Sequence, residues 1–143
     1  MPPTHTRQDR SRERGAGNGA SQMSMQKLQE FTAYQKALDL FDLVVADMQR
    51  LHDVHDTMRL RSQQIASADS ICSNMEEGAG RWSTTEYTHY QVIARGFAAK
   101  TMGRCKRMRH WLPADIVAGR VDRCDEIIAI LTASISKLKR RQR

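Results

Sequence analysis

Proline is almost missing from the interior of this chain. The three prolines are Pro2, Pro3 and Pro113, so the long stretch between Pro3 and Pro113 lacks the residue that breaks helices most strongly. Aromatic residues are scarce at 6%, and no segment alternates polar and apolar residues as a half-buried strand would. Together these absences predict an all-α chain. Cys72, Cys105 and Cys124 are odd in number and isolated, without the C-x-x-C spacing of a zinc or redox site, which leaves buried free thiols as the reading. No apolar run approaches the roughly 20 residues that span a bilayer, and the polar, arginine-bearing N-terminus has no apolar signal core. The expectation is a soluble cytoplasmic protein. Acidic residues are the minority, 16 against 23 Lys and Arg, for a net charge of +7. Such an excess implies an acidic partner, with nucleic acid the commonest in the cytosol and an anionic membrane surface its competitor.

What is present is helical periodicity. The 143 residues, 40% of them hydrophobic, fit one domain with a tail. Residues 1–25 mix Pro, Gly, Ser, Arg and Gln with few large apolar groups and read as a disordered basic tail; Arg7, Arg10, Arg12 and Arg14 are interleaved with Asp9 and Glu13. The bundle is expected over 26–143, with helices at about 29–51, 57–78, 84–112 and 114–140. The first carries a stripe of Phe31, Tyr34, Leu38, Phe41, Val45 and Met48, flanked by Ala37, Leu40 and Val44. Met58, Ile65, Ala68, Cys72 and Met75 mark the second, with Gly78 expected as its left-handed C-terminal cap. Ser83 and Glu86 have the spacing of a capping box that starts the third, whose stripe runs Tyr90, Ala94, Phe97, Thr101, Cys105, Met108 and Leu112 up to Pro113. The fourth repeats Val117, Val121, Cys124, Ile128, Leu131, Ile135 and Leu138. Four helices of similar length with short connections predict an antiparallel up-down four-helix bundle.

The junction of the second and third helices reads Ser70-Ile71-Cys72-Ser73-Asn74-Met75-Glu76-Glu77-Gly78-Ala79-Gly80-Arg81, then Glu86, Tyr87, Tyr90 and Ile93-Ala94-Arg95-Gly96. This resembles the S-I-x-x-N-x-x-E-G-x-x-R signature, with a following I-A-x-G, of the four-helix-bundle proteins encoded within intervening sequences of large-subunit ribosomal RNA. Tyr34-Gln35-Lys36-Ala37 matches that family's opening element, and the resemblance spans roughly residues 28 to 140. It implies a homopentameric barrel of bundles without enzymatic activity. The same fold is used by the accessory variability determinant of diversity-generating retroelements, which binds a reverse transcriptase and its RNA template. Within the signature, Ser70, Asn74, Glu77, Gly78, Arg81 and Glu86 are explained as architecture: caps, a glycine turn and a Glu–Arg pair.

The chain departs from the family after Gly96, where Phe97 and Lys100 replace an expected small residue and an acidic one. The third helix is basic in consequence. Between Glu86 and Asp115 there is no acidic residue, while Arg95, Lys100, Arg104, Lys106, Arg107 and Arg109 all occur. Lys100, Arg104 and Arg107 form one stripe and Arg95, Lys106 and Arg109 another. Lys137, Lys139, Arg140, Arg141 and Arg143 end the chain. Either these cations contact RNA or DNA phosphates, or they pair with acidic neighbours, for which the first helix offers Asp39, Asp42 and Asp47. Gly96, Ala99 and Gly103 lie on an outer face, where small residues suit close approach by another subunit.

Catalytic signals are wanting. No Walker loop, dinucleotide glycine fingerprint or nucleophile motif occurs, and Glu76-Glu77 has no companion carboxylate motif. His52, Asp53, His55 and Asp56 read as a polar loop without a third ligand for a metal. Trp82 and Trp111 read as bundle-end packing or interface residues ahead of base-stacking platforms. The sequence therefore predicts a protein that is no enzyme and needs no cofactor or metal. Its expected role is a basic homo-oligomer that binds RNA or DNA, partnered with a retroelement reverse transcriptase; the alternative is an intervening-sequence-type protein-interaction scaffold.

Overall fold

A computed structural model describes residues 24–142; the rest of the expected tail, with its four arginines, and Arg143 lie outside the described residues. The chain runs α1 (Met25–Glu30), α2 (Thr32–Arg50), α3 (Met58–Ala79), α4 (Thr84–Arg107), a single 3-10 turn (Met108–His110) and α5 (Ala114–Arg141). The described residues form helices joined by short turns, with no strand among them. Ser24 caps α1 by accepting the Lys27 N–H at 3.1 Å, as serine does when it replaces a missing intrahelical acceptor. Phe31 then turns extended (φ −72°, ψ 119°) and separates α1 from α2. Periodicity alone predicts one continuous helix there. The break lets Leu28 fold back into the core, where it is 1% exposed.

Helices α2 to α5 close a ring in chain order, each packing on its sequence neighbours and α2 completing the circuit against α5. Helices α2 and α4 are thus diagonal to each other. Side-chain bonds fix an antiparallel register: Gln64 donates to the Thr101 carbonyl at 2.9 Å across α3 and α4, and Arg95 to Thr132 Oγ1 at 3.3 Å across α4 and α5. This is the up-down bundle expected from four helices and short loops.

The expected stripes are largely the buried ones in α3 (Ala68, Cys72, Met75), α4 (Ala94, Thr101, Cys105) and α5 (Cys124, Leu131, Ile135), whereas the seam of α2 is rotated. In α2 it runs Ala33, Ala37, Leu40, Val44 and Met48, while Leu38 is 40% exposed; in α3, Met58 is 75% exposed. Phe41, Val45, Ile65 and Phe97 sit half-buried on the flanks. A helix in a closed ring buries the bisector between its two neighbours, and alanine marks the point of closest backbone approach, so large residues fall to either side.

Gly78 is another correction. It is still inside α3, and none of the described glycines has a positive φ. Its role is proximity: a Cβ at Gly78 would lie 2.8 Å from Tyr90 Cβ, on the facing helix α4. We expect Gly78→Ala to destabilise the fold by about 1–3 kcal/mol, read as a lower midpoint in urea unfolding, although alanine favours a helix at an ordinary site.

Cys72, Cys105 and Cys124 are free and buried. Burial raises the thiols of Cys72 and Cys124 to about 12 and that of Cys105 to about 11, and it likewise raises the buried Tyr87 phenol to about 12. Folded-state values above the unfolded ones mean the fold holds these protons where the unfolded chain loses them. Stability should therefore be complete below about pH 8.5 and fall as pH rises through the window towards pH 12. Denaturant melts at stepped alkaline pH check this; a flat profile would contradict it.

Candidate nucleic-acid interface

The two halves of the signature are built as a knot between α3 and α4. Ser70 Oγ donates to the Ala66 carbonyl and Asn74 Nδ2 to the Ser70 carbonyl, each at 2.8 Å. Arg81 pairs with Glu77, donates to the Tyr90 hydroxyl at 2.9 Å and lies over the Tyr90 ring. Ser83 accepts the Glu86 N–H at 3.0 Å, the serine half of the expected capping box. Tyr34 on α2 reaches the same end and donates to Glu76 at 2.7 Å. Of these bonds, the Arg81 bridge from Glu77 to Tyr90 ties α4 to α3, while the others hold the ends of the helices around it.

Two of the three acids of α2, Asp39 and Asp47, are committed to α5. Arg120 on α5 holds Asp47 in a two-pronged bond at 2.7 and 2.9 Å, Arg123 reaches Asp39 at 3.4 Å, and Lys36 pairs with Glu126 at 2.5 Å. The sequence offered Asp39, Asp42 and Asp47 as partners for the basic helix, but that helix lies across the diagonal. Among the described residues, Arg95, Lys100, Arg104, Lys106, Arg107 and Arg109 therefore form no ion pair, nor do Lys137, Lys139, Arg140 and Arg141.

Each α4 cation has its own setting. Lys100 sits over the Phe97 ring at 5.0 Å. Arg104 donates to Gln64 Oε1 at 3.0 Å, completing an amide whose nitrogen is already spent on Thr101. Burial first, then the charge of Arg107, pushes the Arg104 guanidinium below its ordinary value: cations are crowded together without an anion. Arg109 donates back to the Lys106 carbonyl at 3.3 Å. Lys106, Arg107 and Arg109 are exposed. Some charge here complements the negative end of the helix dipole, an effect confined to the last turn and too local to account for Arg95 or Lys100.

The basic residues do not merge into one patch. Gln142, the C-cap of α5, donates to Thr85 Oγ1 at 3.3 Å, which places Lys137, Lys139, Arg140 and Arg141 beside the start of α4. The cluster from Arg104 to Arg109 lies at the other end of that helix, roughly 33 Å away at 1.5 Å per residue. At that far end the register brings Arg61 of α3 level with Arg104, an addition that no single helix's pattern reveals; Arg61 Nε donates to Thr57 Oγ1 at 3.1 Å. The α2–α3 turn at the same end holds His52 against Asp53 at 3.1 Å and His55 against Asp56 at 3.4 Å.

Gly96 and Ala99 are exposed on the outer face of α4, and a Cβ at Gly96 would meet open space. The Arg107 guanidinium lies over Gly103, 3.4 Å from where a Cβ would stand. Trp82 is 58% and Trp111 38% exposed. No described helix is long and apolar enough to cross a membrane.

A family model described as 23S rRNA-intervening sequence protein matches residues 29–133, which covers α2 to α4 and most of α5. No curated protein matches the chain in sequence.

Proposed function

The chain belongs to the 23S rRNA-intervening sequence protein family, and from that premise we propose that it is a non-enzymatic, basic oligomer that binds nucleic acid in the cytoplasm. One observation carries the reading: α4 and the turn after it present six cations without a carboxylate partner because α2 lies across the diagonal, with Asp39 and Asp47 paired to α5. Lys106, Arg107 and Arg109, with Lys100 and Arg95 along the helix, supply phosphate contacts at one end, and Lys137, Lys139, Arg140 and Arg141 at the other. Arg104 positions the helix through Gln64 as well as adding charge. The outer face of Gly96, Ala99 and Gly103 supports a subunit contact. In the pentamer implied by the sequence resemblance, each basic end is repeated around the axis, which multiplies weak phosphate contacts. The RNA or cDNA of a retroelement, handled with its reverse transcriptase, is the partner class we favour, on that same resemblance.

A second reading follows from the family match alone: a scaffold whose basic surface meets an acidic protein. Titrating purified protein with structured RNA, duplex DNA and single-stranded DNA across a salt series, with the oligomer mass measured on the same sample, separates the two. Salt-steep binding by an oligomer supports nucleic acid; no binding at low salt leaves the scaffold.

A further inference from the structure

The turn between α4 and α5 combines charge with an aromatic surface. After Arg107 the chain tightens into the 3-10 turn Met108–His110, and both Trp111 N–H and Leu112 N–H bond back to the Met108 carbonyl, at 3.0 and 2.9 Å. Met108 and Leu112 are buried. They clamp the turn on both sides of Trp111, so the indole is carried on a rigid support. His110 packs T-shaped on it with centroids 5.8 Å apart, which further fixes its orientation. Lys106, Arg107 and Arg109, all exposed, stand within five residues of it. The first turn of α5, starting at Ala114, has no side-chain cap, and the N–H groups of a helix start favour an anion. Asp115 is the one acid between Glu86 and Asp122.

Single strands are held by this pairing of an aromatic face with cations: phosphates meet the charge and an unpaired base stacks on the ring. A duplex, whose bases are stacked on each other, satisfies only the charge. We infer that the α4–α5 turn is a stacking site for an unpaired base of single-stranded nucleic acid, with Trp111 as the platform and Lys106, Arg107 and Arg109 as the phosphate contacts. The inference rests on the nucleic-acid reading above and narrows its substrate class. Trp82 is more exposed, but its neighbouring cation Arg81 is already held by Glu77 and the Tyr90 hydroxyl.

The test uses the full chain carrying Trp82→Phe, so that Trp111 is the only indole, and follows its fluorescence. Oligouridylate and oligothymidylate are expected to quench it saturably, while duplex DNA and inorganic polyphosphate bind without quenching. Trp111→Ala should weaken single-strand binding roughly tenfold and leave duplex affinity unchanged, with Trp111→Phe recovering most of the deficit. Quenching in the Trp82→Phe protein does not depend on whether Trp111→Ala folds. If single strands bind without quenching and Trp111→Ala binds them as before, the stacking site is refuted while the nucleic-acid reading stands. If polyphosphate, duplex and single strand prove indistinguishable throughout, the turn is an anion surface only. If no nucleic acid binds at any salt, the broader reading fails and takes this site with it.

Discussion

Asp47→Ala is expected to cost the fold about 3 kcal/mol, the lower end of the range for breaking a buried ion pair from one side. Asp47 is 3% exposed, and both its oxygens accept from Arg120, at 2.7 and 2.9 Å. Parallel N–H donors on one carboxylate form the stronger geometry available to this pair. With the carboxylate gone, Arg120 keeps its charge in a half-buried site; the bond to Asp47 is the first cause raising its pKa above the ordinary arginine value. The pair also joins α2 to α5 and so closes the ring. Urea unfolding should show the effect as a lower midpoint, equivalent to roughly 10 °C in thermal unfolding for a domain of this size. Arg120→Ala should cost a similar amount. The double variant should lose less than the sum of the singles by more than about 1 kcal/mol, since the partners share one interaction. Strict additivity would show that the bond contributes nothing and that Asp47 acts through packing alone.

This pair is not legible in the sequence, and the reason is general. Periodicity identifies the helices, because burial imposes a 3.6-residue repeat on any helix that joins a core, and the starts at Thr84 and Ala114 follow from Ser83 and Pro113. Which helix lies beside which is not written in one helix's pattern. Asp47 reads as a partner for α4 until the ring places α2 against α5. The α2 seam is misplaced for a related reason: periodicity weights a large residue such as Leu38 over a small one such as Ala33, although small residues mark closest approach. Gly78 stands out in the sequence for the wrong cause, since a glycine near a helix end serves as well for a close neighbour as for a left-handed turn. The basic composition of α4 is evident from residues 87–114. Its lack of partners requires the register, and so does the level placement of Arg61 and Arg104.

Replacing Lys106, Arg107 and Arg109 together with glutamine should reduce affinity for RNA at moderate salt by roughly two to three orders of magnitude. It should also flatten the plot of log affinity against log salt by about 0.7 to 0.9 for each phosphate that is no longer neutralised. These residues are chosen because they are exposed and outside any ion pair, so their removal leaves the core intact. Arg104 is left in place because it completes the Gln64 amide, and its removal would confuse stability with binding. Crowding adds a sign test. Arg107 helps push the Arg104 guanidinium below its ordinary value, so the folded protein carries unrelieved repulsion there, and the triple variant should melt no lower than the parent protein. Stability held or raised while binding falls is the pattern of a surface kept charged for a ligand. A matching triple, Lys137, Lys139 and Arg140 to glutamine, removes equal charge from the other end of the bundle and controls for net charge. Equal falls in affinity from both triples would mean that total charge attracts the nucleic acid and neither end is a site. A larger fall at the α4 end, with the greater change in salt slope, would locate the phosphates there.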